Sequence, residues 1–136
     1  MNDKSFLDTN ILLYAFREDD RRNETARILL ARGGLTGVQA VNEFVAVARR
    51  KLGMSWTDIS RALAAICKLC PSPVPLTLEI HEKALQIAER YGYHIYDSLS
   101  IAAALKTSCT TLYSEDMHDG QVIEGLTIRN PFQKIN

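Results

Sequence analysis

The chain has 136 residues, of which 46% are hydrophobic and 24% charged, and this suits one globular domain over residues 1–136. Lysine plus arginine and aspartate plus glutamate number 16 each, which excludes a protein that coats nucleic acid by bulk positive charge. The polar start MNDKSF, the lack of an apolar run near the roughly 20 residues that span a bilayer, and an odd three cysteines predict a soluble cytoplasmic protein.

The first half of the chain alternates short apolar segments with amphipathic helices. A strand is predicted over 5–7, it ends at Asp8, and the apolar residues from Ile11 onward continue directly as a helix. Asp20 is placed to cap a second helix, which Gly33-Gly34 stops. After a minimal strand at 35–37, the spacing predicts a helix over 38–52. Its apolar face comprises Val38, Val41, Val45, Ala48 and Leu52.

The second half carries clearer start and stop signals. Ser55 and Asp58 have capping-box spacing and open a helix, whereas the prolines at 71–75 predict a break followed by irregular or edge pairing. Thr77 caps the next helix and Gly92 ends it. A strand-like link at 93–95, a buried helix over 97–105, and strands over 109–113 and 126–128 complete the predicted elements.

This alternation predicts βαβ units, and therefore an α/β fold with a parallel sheet and helices on both faces. In such open sheets the working crevice lies outside the carboxyl ends of the strands. Asp8 follows the first strand and Asp116 follows the strand over 109–113. We therefore expect both carboxylates at that edge of the sheet.

Each acid has an ordinary structural explanation when it is considered alone. Asp8 and Asp97 stand near helix starts, where an aspartate usually caps the helix. Glu43 lies away from the predicted valine face of its helix, which favours a solvated position. Asp116 belongs to the polar loop SEDMHDG, where an acid needs no special role.

Their joint placement is more informative, because the alternating fold brings several element boundaries to one crevice. Carboxylates that converge without matching Lys or Arg repel one another, and a bound cation removes that cost. Oxygen ligands favour Mg²⁺ or Mn²⁺ over zinc. Such a site suits phosphodiester hydrolysis, in which the metal positions the phosphate, helps to generate hydroxide and stabilises charge on the departing oxygen.

Four segments in chain order resemble the PIN domain, and more narrowly the VapC-like ribonuclease toxins of bacterial toxin–antitoxin pairs. They are FLDTNILLYAF, VQAVNEFV, YDSLSIAAAL and SED at 114–116. The resemblance covers essentially the whole chain. It implies a three-layer α/β/α fold with a central, mostly parallel sheet of four to five strands. It further implies a Mg²⁺- or Mn²⁺-dependent endoribonuclease that acts on RNA, forms a homodimer and is inhibited by an antitoxin protein inserted near the active site.

Carried over by position, the resemblance implies an acidic, metal-binding catalytic site. Its members are Asp8, Glu43, Asp97 and Asp116. Thr9 and Asn10 match the polar pair after the first acid, and Ser114 matches the small hydroxyl before the fourth. Glu115 and Asp119 are further acids in the same loop, and either could share or replace the role of Asp116.

Basic side chains and cysteines are further candidates, for RNA contacts and for a redox or zinc site respectively. The candidates for contacts with RNA phosphates are Arg17, Arg49, Arg50 and Lys51, with Arg21 and Arg22 as similar positions. A solvated helix end explains the run over 49–51 equally well. Cys67 and Cys70 have the spacing of a redox or zinc half-site, but no second ligand pair follows, so we expect buried helix thiols.

Three alternatives compete with a toxin ribonuclease. A PIN-type nuclease of housekeeping RNA processing would carry the same acids. A receiver-like signalling domain or a haloacid-dehalogenase-type phosphotransferase also gathers acids at strand ends. A receiver-like domain requires adjacent acids after the first strand, whereas Asp8 stands alone there. A haloacid-dehalogenase-type enzyme requires an acid/base at the position of Asn10, whose amide cannot exchange protons in that way. A catalytically silent, partner-binding α/β domain is the third alternative, and the full acidic set disfavours it.

Overall fold

The computed structural model describes residues 4–132, which form a small mixed sheet between two groups of helices. In chain order the elements are β1 (Ser5–Leu7), α1 (Thr9–Ala15), α2 (Asn23–Ala31), α3 (Val38–Arg50), α4 (Trp56–Leu69), α5 (Leu78–Tyr91), α6 (Ile95–Lys106), β2 (Thr111–Tyr113), β3 (Val122–Ile123) and β4 (Leu126–Arg129). Among these residues, no helix has the length and apolar character needed to cross a membrane.

The four strands lie in the order β1-β2-β4-β3, and the first three are parallel. Phe6 pairs with Leu112, which pairs in turn with Ile128. The expected mostly parallel sheet is therefore confirmed. The predicted strand over 35–37 and the edge pairing expected near the prolines at 71–75 are reduced to single bridges, Phe6 to Leu35 and Gly37 to Val74. Prolines flank Val74 and leave it without backbone donors on either side, so pairing cannot extend there.

The antiparallel strand β3 was not predicted from the sequence. It joins β4 through a tight turn in which both Glu124 (φ 48°) and Gly125 (φ 88°) adopt left-handed backbone conformations. Two-residue hairpins favour such a turn because its twist matches that of the strands. A strand of two residues flanked by polar positions is too short to show alternation.

Apolar side chains pack on both faces of the sheet, which makes the fold three-layered. Phe6 points into a core formed mainly with α5 and α6, and its neighbour Leu7 points into the opposite core with α1 to α4. This follows from the alternation of side chains along a strand. The expected α/β/α arrangement is confirmed.

Several helix signals acted as predicted. Ser55 accepts a hydrogen bond from the Asp58 N–H at 3.0 Å, and Thr77 accepts one from the Ile80 N–H at 3.2 Å. Gly92 ends α5 in a left-handed conformation with φ 79°. These signals are local, which is why the sequence shows them without knowledge of the fold.

Three local predictions were wrong. Asp20 does not cap α2, because its side chain instead binds Arg22. The link at 93–95 is not strand-like, since α6 begins at Ile95. The buried face of α3 is formed by Ala40, Phe44 and Ala48 rather than by the valines. The large Phe44 ring is fully buried and sets the rotation of that helix.

Candidate active site

Asp8 lies at the junction of β1 and α1 and is buried. It occupies the N-cap position of α1, yet its side chain makes no capping hydrogen bond. Its Oδ1 accepts a hydrogen bond from Ser100 Oγ at 2.9 Å, and its Oδ2 accepts one from Ser114 Oγ at 2.9 Å. The helix-cap explanation of this acid is therefore wrong. α6 and the end of β2 hold the carboxylate in place.

The environment of Asp8 disfavours its charged form. Burial raises the pKa of this carboxyl, and repulsion from Glu43 adds to the rise. Hydrogen bonds from the Thr9 backbone and from the two serine hydroxyls act in the opposite direction but do not cancel the effect of burial. A buried carboxylate beside other acids gains most from a nearby cation.

Asp97 lies in the first turn of α6 and also faces the other acids. Burial raises the pKa of its carboxyl to about 6, and repulsion from Asp8 contributes next. Asp116 and Glu43 raise it further, whereas His94 lowers it. The His94 Nε2 lies 3.0 Å from Asp97 Oδ2. Asp97 therefore lies within electrostatic range of the other three predicted acids.

Glu43 projects from α3 towards the start of α1. Its Oε2 accepts a hydrogen bond from Thr9 Oγ1 at 2.5 Å, and its Oε1 accepts a long one from Gln39 Nε2 at 3.5 Å. The side chain is half-buried beside Phe44, so the solvated-face explanation is wrong. The error followed from the predicted valine face, since rotating α3 to bury Phe44 turns Glu43 inward.

Asp116 reaches the group from the loop after β2. Its Oδ2 accepts a hydrogen bond from Asn10 Nδ2 at 3.0 Å, and its backbone N–H donates to Ser114 Oγ at 3.3 Å. The other acids of this loop have different partners. Glu115 binds Tyr14 and Arg22, and Asp119 accepts a hydrogen bond from the Asn130 N–H at 2.8 Å. Geometry thus favours Asp116 as the fourth acid.

Within the described part of the chain, the four carboxylates are not neutralised by any lysine or arginine, and His94 is the one basic side chain paired with them. Within residues 4–132, none of the ion pairs joins Asp8, Glu43, Asp97 or Asp116 to a lysine or arginine. In the same range, no three His, Cys, Asp or Glu side chains lie in an arrangement that could hold a metal ion. The donors are all oxygen, which fits a hard divalent cation such as Mg²⁺ or Mn²⁺. We refer to these four residues as the acid cluster.

The predicted phosphate contacts lie away from the acid cluster. Arg17 and Lys51 line an open groove of about 800 Å³ at the far ends of α1 and α3. The Arg49 guanidinium stacks over Trp56 at 5.0 Å from the ring centroid and donates to the Met54 carbonyl. Arg50 is exposed. Their role in RNA binding stays a prediction.

Sequence reasoning missed several residues that support the site. Ser100 was overlooked because it belongs to a helix that reads as buried throughout, although it lies one turn after Asp97. His94, three residues before Asp97, has the spacing of a helical ion pair.

The prediction of two buried thiols was half wrong. Cys70 is buried and its pKa is raised to about 11, whereas Cys67 is exposed, and both are free.

Comparisons with known proteins agree with this geometry. The family model described as the PIN domain matches residues 5–118, a span that holds all four acids. No curated protein has a significantly similar sequence.

Solved structures provide a second comparison. The toxin VapC20 from Mycobacterium tuberculosis, described as cleaving the sarcin-ricin loop, superimposes with a TM-score of 0.65 at 21% identity, covering 80% of this chain and 87% of that one. A toxin–antitoxin complex from Klebsiella pneumoniae gives 0.72 at 17% identity, with 96% and 100% covered. FitAcB from Neisseria gonorrhoeae gives 0.68 at 19%, with 96% and 99% covered. At these identities the likeness shows a shared fold.

Proposed function

This chain belongs to the PIN domain family, and we propose that it is a Mg²⁺- or Mn²⁺-dependent endoribonuclease, the toxin of a VapBC-type toxin–antitoxin pair. The observation that carries the proposal is the acid cluster at the carboxyl edge of the parallel sheet. Its uncompensated charge and all-oxygen donors match a site that binds a hard divalent cation. The likeness to a toxin that cleaves the sarcin-ricin loop supports RNA as the substrate.

The side chains have distinct tasks in this mechanism. Asp8, Glu43, Asp97 and Asp116 would hold the cation. When bound, the cation would polarise the phosphate, lower the pKa of a water molecule and offset negative charge on the departing oxygen. Thr9 fixes the carboxylate of Glu43, Asn10 fixes that of Asp116, and Ser114 fixes that of Asp8.

The prearranged carboxylates reduce the reorganisation that binding requires. Both carboxylate oxygens of Asp8 accept hydrogen bonds, one from Ser100 in α6 and one from Ser114 at the end of β2. The position of this carboxylate is therefore fixed before a cation binds. Burial of Asp8 and Asp97 also limits how far bulk water screens their charges. These features favour hydrolysis of a phosphodiester over a purely structural role for the acids.

The same proposal includes partners. An antitoxin protein would bind this chain and block the site, and the active form would be a homodimer. The structural likeness to a toxin–antitoxin complex supports such a protein partner. The basic candidates Arg17, Arg49, Arg50 and Lys51 would contact RNA phosphates outside the acid cluster.

RNA cleavage by the purified protein tests the nuclease proposal. We expect cleavage with Mg²⁺ or Mn²⁺, none with EDTA, and a loss of at least about a hundredfold for Asp8→Asn. Asp119→Asn is the matched control, because Asp119 bonds the backbone of Asn130 and should leave cleavage unchanged. Wild-type rates for Asp8→Asn, in a variant with an unchanged circular dichroism spectrum, would refute the proposal.

Expression in a bacterial host tests the toxin proposal separately. Induction of the wild-type chain should arrest growth, whereas induction of Asp8→Asn should not. Co-expression with the product of a short upstream reading frame should restore growth. Normal growth despite active nuclease in the extract would favour housekeeping RNA processing.

A further inference from the structure

Arg22 lies at the centre of a polar cluster beside the acid cluster. Its Nη1 donates to both oxygens of Glu115 at 3.0 and 2.8 Å, and its Nε and Nη2 bind Asp20 at 2.8 and 2.9 Å. The guanidinium carbon lies 3.9 Å from the centroid of the Tyr14 ring. The Tyr14 hydroxyl in turn donates to Glu115 Oε1 at 2.6 Å. We refer to Arg22, Glu115, Tyr14 and Asp20 as the arginine clamp.

The arginine clamp joins parts of the chain that are far apart in sequence. Arg22 and Glu115 are 93 residues apart, and Tyr14 and Glu115 are 101 apart. A lone exposed ion pair adds little stability, but two-pronged arginine pairs within a network are an exception. Only about a quarter of the Arg22 and Glu115 side chains is exposed, at 23% each. The clamp therefore fixes the loop after β2 against α1.

Glu115 is the neighbour of Asp116, and both sides of this short segment are held. The Glu115 backbone N–H donates to Asn10 Oδ1 at 3.3 Å, while Asn10 Nδ2 donates to Asp116 Oδ2. Asp116 itself is exposed, and repulsion between its carboxylate and that of Asp97 contributes to the raised pKa of Asp97. Something must oppose that repulsion in the metal-free protein, and the clamp is attached at the adjacent residue.

We propose that Arg22 is a positioning residue, which holds Asp116 in the acid cluster through its grip on Glu115. None of the hydrogen bonds of Arg22 within residues 4–132 reaches an acid of the cluster, so its action is indirect. Its charge is taken up by Asp20 and Glu115, which argues against the phosphate contact expected from the sequence. The importance of Asp116 to catalysis rests on the proposed function; its restraint by Arg22 does not.

A coupling experiment on the metal-free protein tests this restraint. Asp116→Asn keeps the shape of the side chain and removes its charge, so it should relieve repulsion and raise Tm by about 3 °C. In an Arg22→Met background Asp116 can already turn outward, and the gain should fall below about 1 °C. Lys83→Met, which breaks the exposed ion pair of Lys83 with Glu124, is the matched control and should retain the full gain.

The outcomes separate positioning from general stabilisation. Equal gains in the wild-type and Arg22→Met backgrounds would overturn the proposal, as would the lack of any gain in the wild type. If Arg22→Met does not fold, Glu115→Gln replaces it, because this variant keeps the side-chain shape while losing the charge that Arg22 grips. The gain should then fall by about half, and an undiminished gain would overturn the proposal.

Kinetics provide a second readout. Since Arg22 is not expected to touch RNA, Arg22→Met should lower kcat about tenfold and change KM by less than about twofold. Affinity for Mn²⁺, measured by calorimetry without RNA, should fall about tenfold. A raised KM with unchanged kcat would instead make Arg22 an RNA contact and overturn the proposal.

A wild type that cleaves no RNA would refute the proposed function alone, because the Tm coupling needs neither metal nor RNA.

Discussion

Thr9 Oγ1 lies 2.5 Å from Glu43 Oε2, and this hydrogen bond joins the first turn of α1 to the middle of α3. Thr9 directly follows Asp8, so one short segment both supplies an acid and orients another. The charge of Glu43 raises the pKa of Asp8 across the same small space. The hydroxyl therefore keeps two repelling carboxylates at a defined separation.

Thr9→Val should lower the rate of RNA cleavage about tenfold, because the isosteric methyl cannot donate to Glu43. Thr9→Ser keeps the hydroxyl and is the matched control. Both variants should retain the wild-type circular dichroism spectrum, since the position is only partly buried. Equal cleavage by the valine and serine variants would show that the bond to Glu43 has no catalytic consequence.

Asp97→Asn should stabilise the metal-free protein at pH 7. The folded-state pKa of Asp97 is about 6, above the ordinary value of about 4, so the folded protein binds more protons between these pH values than the unfolded chain does. The free energy of unfolding therefore falls as pH rises from about 4 through 6. We expect Tm to rise by about 2–4 °C in Asp97→Asn at pH 7, and this pH dependence to flatten.

The same repulsion predicts a response to metal. Mn²⁺ should raise the Tm of the wild type in calorimetry, because a ligand that binds only the folded state stabilises it. The gain should be much smaller in Asp97→Asn. If neither the substitution nor Mn²⁺ changed Tm, the four acids would not act as one electrostatic group.

Ser114→Ala should move the acid limb of the pH–rate profile to higher pH. The hydroxyl of Ser114 donates to Asp8 and lowers its pKa, so its removal raises the pKa and keeps Asp8 protonated to higher pH. Ser98→Ala is the matched control. Ser98 is also buried, yet its Oγ has no hydrogen-bond partner in the described part of the chain. Its removal should leave the limb unchanged and stabilise the fold slightly.

The corrected face of α3 predicts an unequal pair of core substitutions. Phe44→Ala should cost about 3–5 kcal/mol in the free energy of unfolding, because the ring is fully buried against Phe16 and the surrounding core. Val45→Ala should cost less than about 1 kcal/mol, since Val45 is only partly buried. Urea denaturation measures both. A larger loss for Val45→Ala would restore the valine face as the packing surface.

Local signals were predictable from the sequence, and relations across the sheet were less so. Ser55 and Thr77 act on backbone groups three residues away, so the spacing alone reveals them. The rotation of α3 depends on how one phenylalanine fits a core built by other elements. The spacing of apolar residues favoured the more numerous valines over Phe44 as the buried face of α3. That wrong rotation of the helix placed Glu43 on the solvent side.

The acid cluster was predicted as a set, but its supports were not. Asp8, Asp97 and Asp116 stand at the ends of elements, where topology indicates convergence, whereas Glu43 lies in the middle of α3. Ser100 reaches Asp8 across 92 residues, and the contact of Arg22 with Glu115 spans 93. No local pattern marks such pairs, because a serine in a buried helix and an arginine in a polar loop both have ordinary explanations.

The distance along the chain between Asp8 and its partners has a consequence during translation. Asp8 and Asn10 leave the ribosome more than 100 residues before their partners Ser114 and Asp116. Until that later part emerges, β1 also lacks its neighbour β2. A nascent chain therefore cannot complete the acid cluster before β2 and the loop that follows it have left the ribosome.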